Sequence, residues 1–301
     1  MTPRERVEAA IVGAAFALLG RLSPARAASL AGGIGRAIGP KLPVSRIAEI
    51  NLRLALPEQD RAARRRIIRA MWRNLGCTIG ELPHLAALLP NGTVPGYEVE
   101  GTEIMRDLVA RGGPAIFFSG HIGNWELMAA SAATHGVQLA VLYRAVENPA
   151  IDKMIARFRR LSTGGTATLL PKGAEGARGA LAHLAGGGFL GLLVDQKMND
   201  GIAVPLFGRP AMTAPALAAL ALRFRCPVIP AHTERLGPAR LRVIVEPPLP
   251  LPESRDRGAD IAALTRTVNA CLERWIRARP EGWLWLHRRY ENELYQAGRG
   301  G

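Results

Sequence analysis

His121 and Glu126 stand five positions apart in the stretch "GHIGNWE" (120–126), directly after the apolar run "AIFFS" (115–119). An imidazole is the side chain whose ordinary pKa lies closest to neutrality, so a histidine held by an anion can serve as a general base. Gly120 and Gly123 let the backbone turn tightly at the end of the apolar run. Asn124 has the side chain of a helix N-cap, and Glu126 then falls in the first helical turn, where the helix dipole favours a carboxylate. Glu126 is thereby expected to stay ionised, to accept a hydrogen bond from the ring of His121, and to raise its pKa. The other ring nitrogen would face outward and take a proton from a hydroxyl, a role that contributes about 10²–10⁴-fold. No G-x-S-x-G accompanies the histidine and the nearest cysteine is Cys77, so no nucleophilic side chain is set beside it. Backbone N–H groups near Gly123 and Asn124 are candidates for holding a developing oxyanion. A histidine at a strand end can also be a capped polar residue without chemistry. No second histidine sits at metal-ligand spacing, and no metal site is expected.

The elements that must position these residues follow from the pattern. From about Val94, "YEVEG" alternates as a strand does, and the continuous apolar run "AIFFS" reads as a strand buried on both faces. Helix-like "NWELMAASAATHG" precedes the strand "VQLAVLY"; a helix from Asn148 to about Leu161, a short strand near 167–170 and a helix over 175–185 come next. The strand "FLGLLVD", a helix over 213–225, the strands "CPVIPAHT" and "ARLRVIVE" and a long helix over 259–278 complete the chain. Strands alternating with helices predict an α/β fold, a mixed and largely parallel sheet flanked by helices. In such a sheet functional groups gather where strands end and helices begin, which is where His121 lies.

The first 92 residues differ in texture. Residues 1–40 read as N-terminal apolar or amphipathic helices that associate with a membrane, 41–92 as a helical segment packed on the core, and 93–301 as the α/β domain. "AAIVGAAFALLG" (9–20) is apolar, but its twelve residues cover about 18 Å as a helix, against about 30 Å of bilayer hydrocarbon. It reads as a helix that dips into a membrane or packs on the body, with a true span, its flanking arginines snorkelling, as the alternative. In "SPARAASLAGGIGRAIG" (23–39), Leu30, Ile34 and Ile38 mark one apolar helix face, and the small residues permit close packing. The glycines nearly spell a dinucleotide-binding fingerprint, which is rejected because no strand precedes it and the third glycine falls late. Residues 44–89 read as two helices around Pro57; the basic side of "RAARRRIIRAMWRNLG" is either a solvated face or a surface for anionic lipid.

Composition narrows the partners. Hydrophobic residues are 48% of the 301, enough for a sizeable core. The formal charge of +14 favours anionic partners. Only four of the 39 basic residues are lysine, so part of the excess is a compositional habit. No aromatic ladder or nucleic-acid motif accompanies the charge, and nucleic acid is not expected as a partner. Three dispersed cysteines, Cys77, Cys226 and Cys271, support neither a disulfide framework nor a zinc site, and point to a reducing compartment.

"GHIGNWE" resembles the His-x4-acid box of the glycerolipid acyltransferase superfamily, in its glutamate form, and more narrowly that of the late acyltransferases of lipid A biosynthesis. Further pieces are similar in order: "NLRLALPE" (51–58), "LYRAVENP" (142–149), "LLVDQKMNDGIAVPLFGRPAMTAPA" (192–216) and "PEGWLWLHRRY" (280–290). The resemblance spans nearly the whole chain and implies a glycerolipid acyltransferase-like fold. It implies acyl transfer from an acyl carrier protein thioester, as co-substrate and with no other cofactor, to a hydroxyl of a lipid A precursor. His121 would deprotonate that hydroxyl, Glu126 would orient His121, and no covalent enzyme intermediate would form. It also places functional residues at Arg144 and Asp195, expected to pair and brace the site or, for Arg144, to hold a phosphate. Gly123, Asn124 and Gln196 are the further candidates for substrate binding. "WLWLHRRY" is either a buried closing element or an interfacial belt, and His183 and His232, outside the boxes, are expected to be structural. The implied partners are acyl carrier protein, a phosphorylated glycolipid and an anionic membrane surface, at the cytoplasmic face of a bacterial inner membrane. Acyl transfer within the same superfamily to another glycolipid or an aminolipid, lipid hydrolysis by the same dyad, and membrane binding without catalysis are the competing functions.

Overall fold

The computed structural model describes residues 1–254 and 256–296. In chain order the elements are α1 (Pro3–Gly20), α2 (Pro24–Ile38), α3 (Ser45–Ala55), α4 (Arg61–Glu81), β1 (Gly96–Glu100), α5 (Thr102–Arg111), β2 (Ala115–Ser119), α6 (Leu127–Thr134), β3 (Leu139–Tyr143) and α7 (Pro149–Ser162). They continue as β4 (Thr168–Pro171), α8 (Ala174–Ala185), β5 (Phe189–Leu193), β6 (Ile202–Leu206), β7 (Arg209–Thr213), α9 (Ala216–Phe224), β8 (Val228–Gly237), β9 (Arg240–Val245), α10 (Arg257–Ala278) and α11 (Glu293–Gln296).

Seven strands form one sheet in the order β1-β9-β8-β2-β5-β3-β4. Only the β8–β9 pairing is antiparallel; β1–β9, β2–β8, β2–β5, β3–β5 and β3–β4 are parallel. Side chains alternate between the faces of a strand, and β2 shows this directly. Ile116 and Phe118 enter a core shared with α3, α8, α9 and α10, while Ala115 and Phe117 enter a second core shared with α1, α5 and α6. With helices on both faces, β2 has no solvated side, which is why its sequence is an unbroken apolar run rather than an alternation.

Pro205 and Pro210 sit in β6 and β7, a separate two-stranded antiparallel hairpin. The sequence pattern did not predict this hairpin, because prolines demote a run as a strand candidate. Here they fall opposite each other in a ribbon with two edges, where no further strand requires the N–H that proline lacks. The helix expected over 213–225 begins three residues later, since Thr213 belongs to β7.

The N-terminal helices pack on the body. Phe16 of α1 meets Phe158 of α7 edge-on at 5.3 Å, and the Asn148 amide donates to the Glu5 carbonyl at 2.8 Å. No described helix is long and apolar enough to cross a membrane. Helices α2 and α4 approach through their small residues: a Cβ on Gly76 would lie 2.3 Å from the Ala31 carbonyl oxygen, and one on Gly80 would lie 2.5 Å from that of Ala27. The apolar row of α2 is therefore left outside, with Leu30, Ile34 and Ile38 each about half exposed at 52%, 52% and 53%.

The C-terminal segment is a buried closing element. Trp283, Trp285, Arg289 and Tyr290 are all buried. Asn51 of α3 donates to the carbonyls of Trp285 and His287, each at 2.7 Å, and its own oxygen accepts from Tyr295. Arg289 reaches the Met212 carbonyl at 2.9 Å and the Thr213 hydroxyl at 2.7 Å. The alternative of an interfacial aromatic belt is excluded for the two tryptophans, which have no surface to offer.

Candidate active site

Strands β2 and β5 are neighbours and parallel, with Ser119 opposite Leu193. Two residues beyond each of these, at the same edge of the sheet, stand His121 and Asp195. The register thus joins residues 74 apart in sequence: the Nδ1 of His121 lies 2.9 Å from Oδ1 of Asp195. The second oxygen of Asp195 accepts two more hydrogen bonds, from the His121 backbone N–H at 2.9 Å and from the Trp283 indole at 2.8 Å.

These contacts fix the electrostatics. Asp195 is buried. Burial alone would raise its pKa, but the charge of His121, its ring and backbone hydrogen bonds, and the Trp283 N–H together hold it well below the usual carboxylate range. Burial likewise pulls His121 down, yet the charge and hydrogen bond of Asp195, followed by the charge of Glu126, leave it above its ordinary value. An ionised Asp195 can only accept a hydrogen bond, so Nδ1 carries the proton and donates, and the neutral ring's lone pair is at Nε2. Among the described residues Nε2 has no hydrogen-bond partner, and the side chain is 16% exposed. A largely shielded imidazole with one nitrogen anchored and the other free is the geometry of a general base.

Glu126 does not hold His121. It is engaged by an arginine that the sequence analysis did not single out: Arg159 of α7 donates from Nε to Oε2 at 2.7 Å and from Nη2 to Oε1 at 2.6 Å. The Trp125 indole adds a bond to Oε1 at 3.2 Å. Arg159 also lies over the Tyr143 ring, 5.8 Å from its centre, and Trp125 stands edge-on to His121 with ring centres 5.0 Å apart. The expectation that Glu126 orients His121 is corrected accordingly. A bidentate guanidinium matches a carboxylate better than one imidazole N–H can, and the sheet register had already delivered Asp195 to the ring. Glu126 acts on His121 through its charge, across a distance.

Arg144 and Asp195 do not pair. Arg144 is exposed, and its charge is felt at His287; Asp195 is saturated by His121 and Trp283. From "LYRAVENP" it is Tyr143, under Arg159, and Asn148, which caps α7 through Ala150 N–H at 3.1 Å, that support the site. Gln196 lies 3.3 Å from Nε2 of His287 through its amide nitrogen, and the His287 and His121 rings are 5.5 Å apart, centre to centre.

The loop carrying His121 is pinned along its length. Leu284 N–H donates to the His121 carbonyl at 3.0 Å, and Gly123 N–H donates to the Gly282 carbonyl at 2.9 Å. Thr233 donates to the Ile122 carbonyl at 2.8 Å. Asn74 and Thr78, one turn apart on α4, both donate to the Gly123 carbonyl, at 3.0 and 3.2 Å. Gly123 has φ +60°, and a Cβ there would lie 2.3 Å from the Thr233 carbonyl oxygen, so glycine is required twice over. Asn124 is not a helix N-cap and touches no open cleft: it is fully buried, accepts the Glu126 N–H at 3.2 Å and donates to Glu81 at 2.7 Å. Glu81, itself buried, is bridged to Arg235 of β8. Helix α6 starts only at Leu127. Of the two amides expected near an oxyanion, that of Gly123 is occupied within the protein, whereas that of Asn124 has no partner among the described residues. Among the described residues, no group of three or more His, Cys, Asp or Glu is placed to hold a metal ion.

The signals for the missed residues were weak for a physical reason. Arg159 sits in "ARFRRLS", among three arginines of one amphipathic helix, and only the packing of α7 decides which one faces Glu126.

A three-layer α/β fold with a His–Asp pair at the carboxyl edge of adjacent parallel strands, and a glutamate–arginine pair beside it, defines a proton-transfer site of the kind used in group transfer. The sequence pattern of the bacterial lipid A biosynthesis acyltransferases matches residues 4–292, nearly the whole chain, and the protein belongs to that family. Its reaction class is therefore acyl transfer, with an acceptor of the lipid A type. No curated protein matches the chain.

Proposed function

We propose that this protein is a membrane-associated O-acyltransferase that moves a fatty acyl chain from an acyl carrier protein thioester to a hydroxyl of a lipid A precursor. The observation that carries the proposal is the 2.9 Å contact of His121 Nδ1 with the buried Asp195, which leaves Nε2 as the free base. His121 removes the hydroxyl proton, the alkoxide oxygen attacks the thioester carbonyl, and the thiolate leaves with the proton returned by His121. Asp195 holds the ring in the reactive tautomer and stabilises the imidazolium. Glu126, neutralised in part by Arg159, favours that imidazolium through its charge. The exposed Arg144 is available to a phosphate of the acceptor.

The setting is the cytoplasmic face of a bacterial inner membrane. Exposed Val7, Ile11 and Leu18 on α1 and Leu30, Ile34 and Ile38 on α2 support docking by partial immersion, together with the basic surface. Burying one chain methylene is worth about 0.8 kcal/mol, so a multiply acylated acceptor is best met without leaving the bilayer.

The test is purified protein with an acyl carrier thioester and a panel of phosphorylated hydroxyacyl glycolipids and other lipids, with His121→Ala as control. Acceptor-dependent ester formation, lost in H121A, is expected. Release of free fatty acid without acceptor dependence would instead establish a hydrolase. Transfer only to a non-lipid A acceptor, or unchanged lipid A masses in cells lacking the protein, would move the acceptor elsewhere.

A further inference from the structure

A thioester carbonyl under attack needs a hydrogen-bond donor for its oxyanion. The loop around His121 keeps five of its amides for itself, and among the described residues those of Asn124 and Trp125 have no partner. Those of His121, Ile122, Gly123, Glu126 and Leu127 donate to Asp195, the Gly120 carbonyl, the Gly282 carbonyl, the Asn124 side chain and the Asn124 carbonyl, respectively. The nearby Trp125 indole and Arg159 guanidinium are turned onto Glu126.

One side chain beside His121 is placed where it can supply such a donor alongside the Asn124 and Trp125 amides. His287 lies with its ring centre 5.5 Å from that of His121, the two planes inclined at 55°. Its backbone is clamped by Asn51, which holds the carbonyls of both Trp285 and His287. The Gln196 amide nitrogen faces ring Nε2 at 3.3 Å. An amide N–H can only donate, so Nε2 accepts and the proton of the neutral ring sits on Nδ1. Among the described residues Nδ1 has no hydrogen-bond partner. Three charged or titratable groups bear on this ring: His121, Asp195 and Arg144. Burial, then the proximity of His121, and also Arg144, push its pKa below the ordinary value, against Asp195, so near neutral pH it remains an uncharged donor.

We propose that His287 is a catalytic residue of the acyl transfer, donating from Nδ1 to the thioester carbonyl oxygen as it becomes an oxyanion, with Gln196 as the positioning residue that sets its tautomer. The inference rests on the assignment of His121 as the base. In the step, the acceptor O–H proton passes to Nε2 of His121, the O–C bond forms, and the carbonyl π pair moves onto oxygen. The hydrogen bond from His287 strengthens as that charge develops. Collapse breaks the C–S bond, and the thiolate takes the proton from His121. His287 keeps its own proton throughout.

The experiment compares wild type, H287A, H287Q and H121A as full-length protein, with acyl carrier thioester and the acceptor on which wild type is active. Initial rates are taken over substrate concentration and pH, and folding is checked by thermal unfolding. Loss of one oxyanion donor lowers kcat by about 10²–10³-fold. H287A is expected to fall in that range with KM changed little, and H287Q, which restores an N–H donor, to recover at least about tenfold over H287A. The pH limb set by His121 should persist in both. Retention of kcat in H287A, a loss confined to KM, equal losses in H287A and H287Q, or disappearance of the pH limb would each overturn the role of His287. Activity of H121A would overturn instead the underlying assignment of the base, and His287 with it.

Discussion

Asp195→Asn is expected to lower kcat by about 10³–10⁴-fold, by reversing the His121 tautomer. The two carboxylate oxygens are not equivalent. Oδ2 accepts two N–H groups, from the His121 backbone at 2.9 Å and Trp283 at 2.8 Å, whereas Oδ1 accepts only the His121 ring at 2.9 Å. An asparagine at this buried position must put its one oxygen somewhere. Turned toward Oδ1, it leaves two buried donors facing an NH₂ group; turned toward Oδ2, it confronts only the ring nitrogen, which can change tautomer. Each buried donor left without a partner costs about 1–3 kcal/mol, so the second orientation prevails. The amide N–H then donates to Nδ1, the ring proton moves to Nε2, and the base is lost. Wild-type kcat/KM should rise with pH through a His121 pKa above the ordinary value, since Asp195 and Glu126 raise it against burial. With the Asp195 charge removed, the residual activity of D195N should show that limb moved to lower pH. The assay is mass-spectrometric quantitation of acylated acceptor across pH, with thermal unfolding of both proteins. A kcat within about tenfold of wild type, or a limb that stays in place, would refute the tautomer reasoning.

Glu126→Gln removes a charge that raises His121 less than Asp195 does, so its pH limb should shift in the same direction as that of D195N and by less; a pH titration of kcat/KM decides it. Arg159→Ala leaves the Glu126 carboxylate, whose side chain is 10% exposed, without its bidentate partner. A loss of about 2–4 kcal/mol in chemical unfolding is expected, and Arg159→Lys should recover only part of it because an ammonium cannot reproduce the fork. Gly123→Ala forces a left-handed φ on alanine and a clash with the Thr233 carbonyl; denaturant unfolding should show a loss of about 1–3 kcal/mol or more, and transfer activity should fall. Replacing Leu30, Ile34 and Ile38 together by Ser should weaken sedimentation with anionic vesicles by at least about tenfold, since each side chain withdrawn from lipid forfeits on the order of 1 kcal/mol. The melting temperature should barely move, because these side chains are already about half exposed.

The outer surface of α2 shows why local pattern and tertiary outcome can part. The sequence shows both an apolar row at every fourth position and small residues that permit close packing, and does not say which of the two meets the body of the protein. In the fold the glycine and alanine face is the one that packs, because backbone-to-backbone approach against Gly76 and Gly80 fills space more closely than branched side chains could.

What the amino-acid sequence determined by itself was local: the buried strand that stops at Ser119, the histidine that must then stand at its carboxyl edge, the glycine at 123, and the alternation of strands and helices that forces a largely parallel sheet. These follow from steric limits and from periodicity, which act over a few residues. The partner of His121 was decided only by tertiary structure. Glu126 is five residues away along the chain and Asp195 is 74 away, but the pairing of β2 with β5 sets Asp195 against the ring and lets α7 carry Arg159 to Glu126. Parallel pairing brings distant residues level at one edge of a sheet, and no interaction between sequence neighbours encodes which strands will lie side by side.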